Sequence, residues 1–130
     1  MSTTDRRRPL GALGERLAAR HLERLGYEIV ERNFRVDRGE IDLIAADERF
    51  IVFCEVKTRI AGSRSGPALP LDAIDWRKRR RLRLLAREWL RRRAPGTERP
   101  ARPELRFDAI GIVLSPAGRL LSLEHVEGAF

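Results

Sequence analysis

Hydrophobic residues recur along this 130-residue chain with two different periods, which separate its predicted helices from its predicted strands. Steps of three and four residues predict one helix from Leu10 to Gly26 and a second over residues 73–93, which Asp72 caps. Alternating and continuous apolar runs predict five strands, at residues 27–36, 40–46, 50–58, 105–114 and 119–126. The order is helix, three strands, helix, two strands. It predicts an α/β fold in which helices flank a mixed sheet of about five strands.

The length of the chain predicts one folded domain over residues 10–130. Residues 1–9 include three consecutive arginines and no apolar segment, so we expect a disordered basic N-terminus. Residues 59–71 are rich in glycine, serine, proline and arginine, which predicts an exposed, mobile loop. One cysteine and no apolar run of membrane-spanning length predict a cytoplasmic protein without disulfides or membrane association.

The charge of the chain indicates a polyanionic partner. Lysine and arginine total 27 against 19 acidic residues, a net charge of +8, and nearly all the basic residues are arginine. A coding bias explains the preference for arginine, but it explains the net excess less well. Residues 76–93 contain ten basic residues, and a phosphate-binding surface is favoured over a merely solvated helix face. The predicted nucleic-acid-binding residues are Arg59, Arg64, Arg77, Lys78, Arg80 and Arg81.

Two consecutive predicted strands each alternate apolar and charged residues. Because side chains alternate across a strand, Ile41 and Leu43 should share one face, and Cys54 and Val56 should likewise lie on one face. The charged residues then lie side by side on the opposite face, which carries Glu40, Asp42, Glu55 and Lys57. Like charges facing each other across strands are destabilising, so this face predicts a bound cation.

The charged face has the chemistry of a divalent-metal site. Carboxylate oxygens are hard ligands that suit Mg²⁺ or Mn²⁺, and Asp42 and Glu55 are spaced to reach one cation together. Lys57 would stand beside it, where it could orient or deprotonate a water. Glu40 is open to three interpretations: a ligand, a group that supports a ligand, or an exposed edge residue. A solvated strand face with a simple Glu55–Lys57 pair is the alternative for the whole set.

Asp42 followed by Glu55-Val56-Lys57 on the next strand resembles the D…(D/E)xK signature of the restriction-endonuclease-like superfamily. Archaeal Holliday-junction resolvases, a branch of that superfamily, are similar. A finer resemblance, covering Gly11 to the C-terminus, is to the YraN-like family of uncharacterised small bacterial proteins. It is carried by Gly14-Glu15, Asn33, Gly39-Glu40-Ile41-Asp42, Phe53-Cys54-Glu55-Val56-Lys57-Thr58-Arg59, Lys78 and Arg106-Phe107-Asp108. Ile41 stands where the superfamily signature has proline.

The resemblance implies a restriction-endonuclease-like fold of order αβββαββ and a Mg²⁺- or Mn²⁺-dependent endonuclease. In that interpretation Asp42, Glu55 and Lys57 are catalytic, and Glu15 joins Asp42 and Glu55 as a metal ligand. The expected substrate is DNA, structured or branched more than of defined sequence, with RNA not excluded. A homodimer with two sites is expected by the same analogy. The alternatives are a non-catalytic nucleic-acid-binding module that keeps the nuclease fold, and a protein-interaction adaptor.

Other polar and aromatic residues are predicted to be structural. Asp108 should orient an arginine or cap a turn and not bind metal. His21 and His125 are expected to be isolated, without zinc-ligand spacing. Trp76 and Trp89 are expected to anchor the core, and Cys54 is expected to face the core and be inert.

Overall fold

The computed structural model describes residues 3–37, 39–62, 76–93 and 102–130, which form a five-stranded mixed sheet with two helices. The elements are α1 (Thr3–Arg24), β1 (Glu28–Val36), β2 (Gly39–Ala46), β3 (Phe50–Ile60), α2 (Trp76–Arg92), β4 (Glu104–Leu114) and β5 (Leu120–Val126). The strands lie in the order β1-β2-β3-β4-β5. Neighbours are antiparallel except β3 and β4, which are parallel. The predicted α/β class and αβββαββ order are confirmed.

The first helix begins earlier than the apolar period indicates. It starts at Thr3, so residues 3–9, predicted as a disordered N-terminus, are helical in the structure. Pro9 removes one backbone hydrogen bond without ending the helix. Gly26 follows α1 with φ of 100°, the left-handed conformation that glycine adopts readily at helix ends.

The predicted mobile loop near residues 59–71 begins later than expected. Strand β3 continues through Ile60, which pairs with Leu114 of β4, so residues 59 and 60 belong to the sheet. The remainder of that loop from residue 63, and the predicted cap Asp72, lie outside the described residues. Within the described part of the chain, neither helix is long and apolar enough to cross a membrane.

The sheet is covered by α1 on one face and α2 on the other. Helix α1 contributes Ala18, Ala19 and Leu22 to a buried cluster that includes Cys54, as predicted for that thiol. Helix α2 packs its predicted apolar stripe on the other face, with residues Leu82, Leu85, Ala86 and Trp89. Burial on both faces explains why β2 is buried continuously from residue 41 to residue 46.

The alternation predicted for β2 breaks at Asp42. Ile41 packs in the α2 cluster, whereas Leu43 packs in the α1 cluster, so the two do not share a face. The pairing of β2 with β3 starts only at Leu43, opposite Cys54. Before that point a side chain bonds to β3 in place of the β2 backbone. The Oδ2 of Asp42 accepts a hydrogen bond of 2.7 Å from the Val56 backbone N–H. The break places Asp42 at the point where β2 and β3 separate.

Candidate active site

Three carboxylates from α1 and β2 converge at this separation point. The ligand oxygens of Glu15, Glu40 and Asp42 all lie within 4.8 Å of one another. Gly14 makes this approach possible, since a Cβ at that position would collide with the side chain of Thr58 in β3. A hard divalent cation with ligand distances of about 2.0–2.6 Å can bridge carboxylates at such separations. The cluster therefore has the donor chemistry and the spacing of a Mg²⁺ or Mn²⁺ site.

The carboxylates retain protons more strongly than free side chains do. Asp42 is only 7% exposed, and its burial, together with Glu55 and Glu15, raises its pKa to about 8 against the opposing hydrogen bond from Val56. Burial and the nearby Glu40 also raise the pKa of Glu15, although a hydrogen bond from Asn33 lowers it. Bringing acids together without a cation is unfavourable for their charged forms. A divalent cation would favour full ionisation of the cluster.

Both lysines of the chain meet at Glu55. The Nζ of Lys57 lies 3.4 Å from Glu55 Oε1, and the Nζ of Lys78 lies 3.0 Å from the same oxygen. The other 25 of the 27 basic residues are arginine. Arginine stays charged in proteins, whereas a lysine can give up its proton when burial and neighbouring cations lower its pKa. Both positions at which this chain uses lysine therefore adjoin Glu55, next to the carboxylate cluster.

The two lysines are not equivalent. Burial and the neighbouring Lys78 lower the pKa of Lys57, against the opposing effect of Glu55. Burial also lowers the pKa of Lys78, but its contacts with Lys57 and Glu55 outweigh burial and raise it overall. Lys57 is therefore the amine that releases a proton more easily, and Lys78 is the one that holds its charge.

The structure divides the predicted site residues into two adjoining groups. Glu15 and Asp42 lie together as expected, and Glu40 joins them. Glu55 is not a member of that group and faces the two lysines, although its charge still acts on Asp42. The reason is the late start of β2–β3 pairing, which keeps Asp42 from sharing a flat strand face with Glu55.

Sequence reasoning missed two polar residues that adjoin the carboxylates. Arg35 donates from Nε to Glu40 at 2.7 Å, and Asn33 hydrogen-bonds Glu15. Both line a cavity of about 660 Å³ together with residues of α1 and β2; its lining comprises Gly11, Ala12, Glu15, Asn33, Arg35 and Glu40. The signal in the sequence was the run of polar residues interrupting the first strand. The cavity therefore opens onto the carboxylates of Glu15 and Glu40.

The predicted nucleic-acid-binding residues divide between the site and its surroundings. Arg77, Arg80 and Arg81 are exposed on α2, whereas Lys78 on the same helix turns to Glu55. Gly39 lets this helix pack close to β2, because a Cβ there would press on the aliphatic stem of Arg81. Arg59 is half-buried in β3, and Arg64 lies outside the described residues. An exposed basic surface therefore begins next to the lysine pair.

A family model described as uncharacterised protein family UPF0102 matches residues 14–112. The chain belongs to this family. A UPF0102 protein of Rhodococcus opacus (strain B4) is 46% identical over 121 residues, which are 93% of this chain and 95% of the relative. A UPF0102 protein of Moorella thermoacetica is 42% identical over 130 residues, the full length of both chains. The UPF0102 match spans both groups of the site, from Glu15 to Lys78.

A second polar cluster lies away from the carboxylates and holds the C-terminal part of the chain. Asp108 is fully buried and accepts hydrogen bonds from Arg106 Nε at 2.8 Å and from the Gly128 backbone at 3.1 Å, so it orients an arginine as predicted. His125 contacts Asp108 at 2.8 Å and His21 at 3.0 Å. The prediction that the two histidines are isolated is wrong. Antiparallel pairing of β5 with β4 places His125 where its ring contacts His21 of α1. This network links α1, β4 and β5, and it is separate from the carboxylate cluster and the lysine pair.

Proposed function

We propose that this chain is a metal-dependent endonuclease of the restriction-endonuclease-like superfamily, acting on phosphodiesters of structured or branched DNA. The observation that supports this most directly is the convergence of Glu15, Glu40 and Asp42 beside the lysine pair Lys57 and Lys78. Carboxylates for a cation and a lysine of lowered pKa are complementary parts of phosphodiester hydrolysis. A surface face kept only for solubility has no need of a buried Asp42 or of a lysine whose pKa is lowered.

The carboxylates would hold Mg²⁺ or Mn²⁺, which their hard oxygens fit. When bound, such a cation supplies Lewis acidity and charge neutralisation to a phosphodiester. Asp42 would act as the central ligand because it is the most buried of the three and is fixed by the Val56 N–H. Glu15 and Glu40 would close the ligand set from α1 and β2, with Glu55 behind Asp42 tuning its charge.

The lysines would handle the proton and the developing negative charge. Lys57, whose pKa is lowered, can accept a proton from the attacking water. Lys78, which keeps its charge, can stabilise the phosphate as negative charge builds on it. Glu55 holds both amines on one side of the carboxylates, at 3.4 and 3.0 Å. The two roles explain why two lysines of opposite pKa shift stand together.

The basic surface of α2 would bind flanking phosphates. Arg77, Arg80 and Arg81 are exposed along the helix that places Lys78 at the site. Contacts to phosphate position a nucleic acid without reading its bases, so sequence specificity is not expected from them. Two copies of the chain would present two sites to a branched substrate, a proposal that rests on the resemblance to junction resolvases.

A cleavage assay with matched variants tests the proposal. Labelled four-way-junction, flap and duplex DNA, with RNA counterparts, would be incubated with Mg²⁺ or Mn²⁺. We expect wild-type protein to cut branched DNA only with the cation, and Asp42→Asn and Lys57→Ala to lose at least about 100-fold in rate. Asp47→Asn is the control: Asp47 caps the β2–β3 turn through Oδ1, which asparagine retains, so this variant should cut normally.

A non-catalytic binding module is the second candidate, favoured by the exposed arginines of α2 alone. It predicts no cleavage of any substrate but an affinity that falls steeply with salt. Cleavage that Asp42→Asn and Lys57→Ala leave unchanged would contradict the proposed site. Absence of both cleavage and binding would favour the adaptor function over either nucleic-acid function.

A further inference from the structure

Asn33 has an unusual backbone conformation for a residue inside a strand. Its φ is 53°, and among the described residues it is the one non-glycine residue with positive φ. Asparagine tolerates the left-handed region several times more often than most other residues, though the conformation is still uncommon. Strained backbone of this kind concentrates at functional sites when the surrounding structure enforces it. Strand β1 is therefore distorted at Asn33, in addition to its register shift between Ile29 and Glu31.

That position faces the carboxylate cluster. The neighbours of Asn33 in β1, Arg32 and Phe34, pair with Leu43 and Ile41 of β2, so Asn33 lies opposite Asp42.

The side chain of Asn33 reaches the helix above. Its side chain lines the same cavity as Glu15 and Glu40, and its hydrogen bonding lowers the pKa of the Glu15 carboxyl group. Glu15 is the one member of the cluster that comes from α1, whereas Glu40 and Asp42 lie on β2 and Asn33 lies on β1. Outer groups that hydrogen-bond a metal-ligating carboxylate fix its orientation in this way.

We infer that Asn33 is a positioning residue: its side-chain amide holds Glu15 toward Glu40 and Asp42, and its left-handed backbone allows that reach. The inference rests on the proposed metal site and adds a residue that acts through Glu15 without touching the cation. A residue retained only for its backbone conformation would be replaceable by glycine, which adopts positive φ without strain. A positioning residue would not be.

Asn33→Gly therefore separates the two roles. Mn²⁺ affinity would be measured by calorimetry, and folding by thermal unfolding without metal. We expect Asn33→Gly to fold at least as stably as wild type, since strain is relieved, yet to bind Mn²⁺ about 10-fold more weakly. Ser122→Gly, a polar-to-glycine change on the exposed strand β5, is the control and should leave Mn²⁺ affinity unchanged.

A double-variant cycle tests whether the effect passes through Glu15. Asn33→Gly would be combined with Glu15→Gln, and the loss of Mn²⁺ affinity caused by Asn33→Gly should disappear in that background. Unfolding free energies of the same four proteins without metal report the contact independently, and they should show coupling between the two positions.

Each remaining outcome decides against the inference. Unchanged Mn²⁺ affinity in Asn33→Gly overturns it while leaving the metal site intact. An equal loss of affinity in the Glu15→Gln background, or no coupling in the unfolding cycle, also overturns it, because Asn33 would then act by another route. Failure of wild-type protein to bind Mn²⁺ would overturn both the inference and the proposed function.

Discussion

At the scale of single residues, the proposed mechanism gives Lys57 a role that a permanent charge cannot fill. Lys57→Arg keeps the positive charge beside Glu55 but removes the group that can release and accept a proton at moderate pH. We expect cleavage to fall by about 100-fold or more, with thermal stability and DNA affinity retained. Lys78→Arg is the companion variant, and it should retain more activity because Lys78 acts as a charge. Equal activity of Lys57→Arg and wild type in a single-turnover assay would contradict the assignment.

The buried carboxyl group of Asp42 should lower the free energy of unfolding at neutral pH. Its pKa is raised to about 8 in the folded chain, against about 4 when unfolded. Between these values the folded state binds the extra proton, so the free energy of unfolding falls as pH rises through that range. Asp42→Asn removes the cost, and we expect a gain of about 1–3 kcal/mol in the free energy of unfolding at neutral pH.

Urea denaturation at about pH 5 and about pH 8 measures this gain, which should be larger at the higher pH. Mg²⁺ should stabilise wild-type protein and leave Asp42→Asn unaffected, because only the carboxylate favours the bound cation. Asp47→Asn, which changes an acid that caps the β2–β3 turn, provides the comparison. A variant less stable than wild type at the higher pH would contradict the account of Asp42.

At the scale of elements, Gly14 sets the distance between α1 and β3. An alanine methyl at this position would collide with Thr58, so Gly14→Ala should lower the free energy of unfolding by about 1–3 kcal/mol and displace Glu15. Gly11→Ala in the same helix is the matched control, since its methyl meets no described atom within 4 Å. Alanine favours helix over glycine, so the control should gain up to about 1 kcal/mol. Chemical denaturation of both variants distinguishes the contact from helix propensity.

The elements themselves follow from apolar periodicity, and the exceptions are local. The α2 stripe of Leu82, Leu85, Ala86 and Trp89 repeats at helical spacing and packs as predicted, because burial of that stripe is what stabilises the helix. The start of α1 was missed because residues 3–9 are polar and carry no apolar period. A helix end without an apolar face leaves no periodic signal in a sequence.

The carboxylates and lysines of the candidate site were predicted from the sequence, but their grouping was not. Strand alternation assumes a partner on each side, whereas Asp42 bonds the Val56 N–H with its side chain and lets Ile41 change face. That exchange moves Glu40 toward Glu15 and leaves Glu55 to the lysines. The contact depends on where β2 and β3 separate, which is a tertiary property that no local pattern reports. The same holds for Asn33, whose φ of 53° no local pattern of residues indicates.

At the scale of the whole molecule, the two helices bring opposite chemistry to one sheet. Helix α1 supplies Glu15 to the carboxylate cluster, and α2 supplies Lys78 and exposed arginines. The net charge of +8 favours association with a polyanion, while the buried acids favour a cation at one point within that basic surface. A polyanion and a divalent cation would therefore meet where the helices and the β2–β3 separation come together.

The most direct test of this account is the position of Mn²⁺ in a crystal of the protein, located by its anomalous scattering. The account predicts one strong peak within about 2.0–2.6 Å of an Asp42 oxygen and of at least one oxygen of Glu15 or Glu40. The peak should be missing in Asp42→Asn crystals grown under the same conditions. No peak among these carboxylates at saturating Mn²⁺, or a peak that persists without the Asp42 carboxylate, would contradict it.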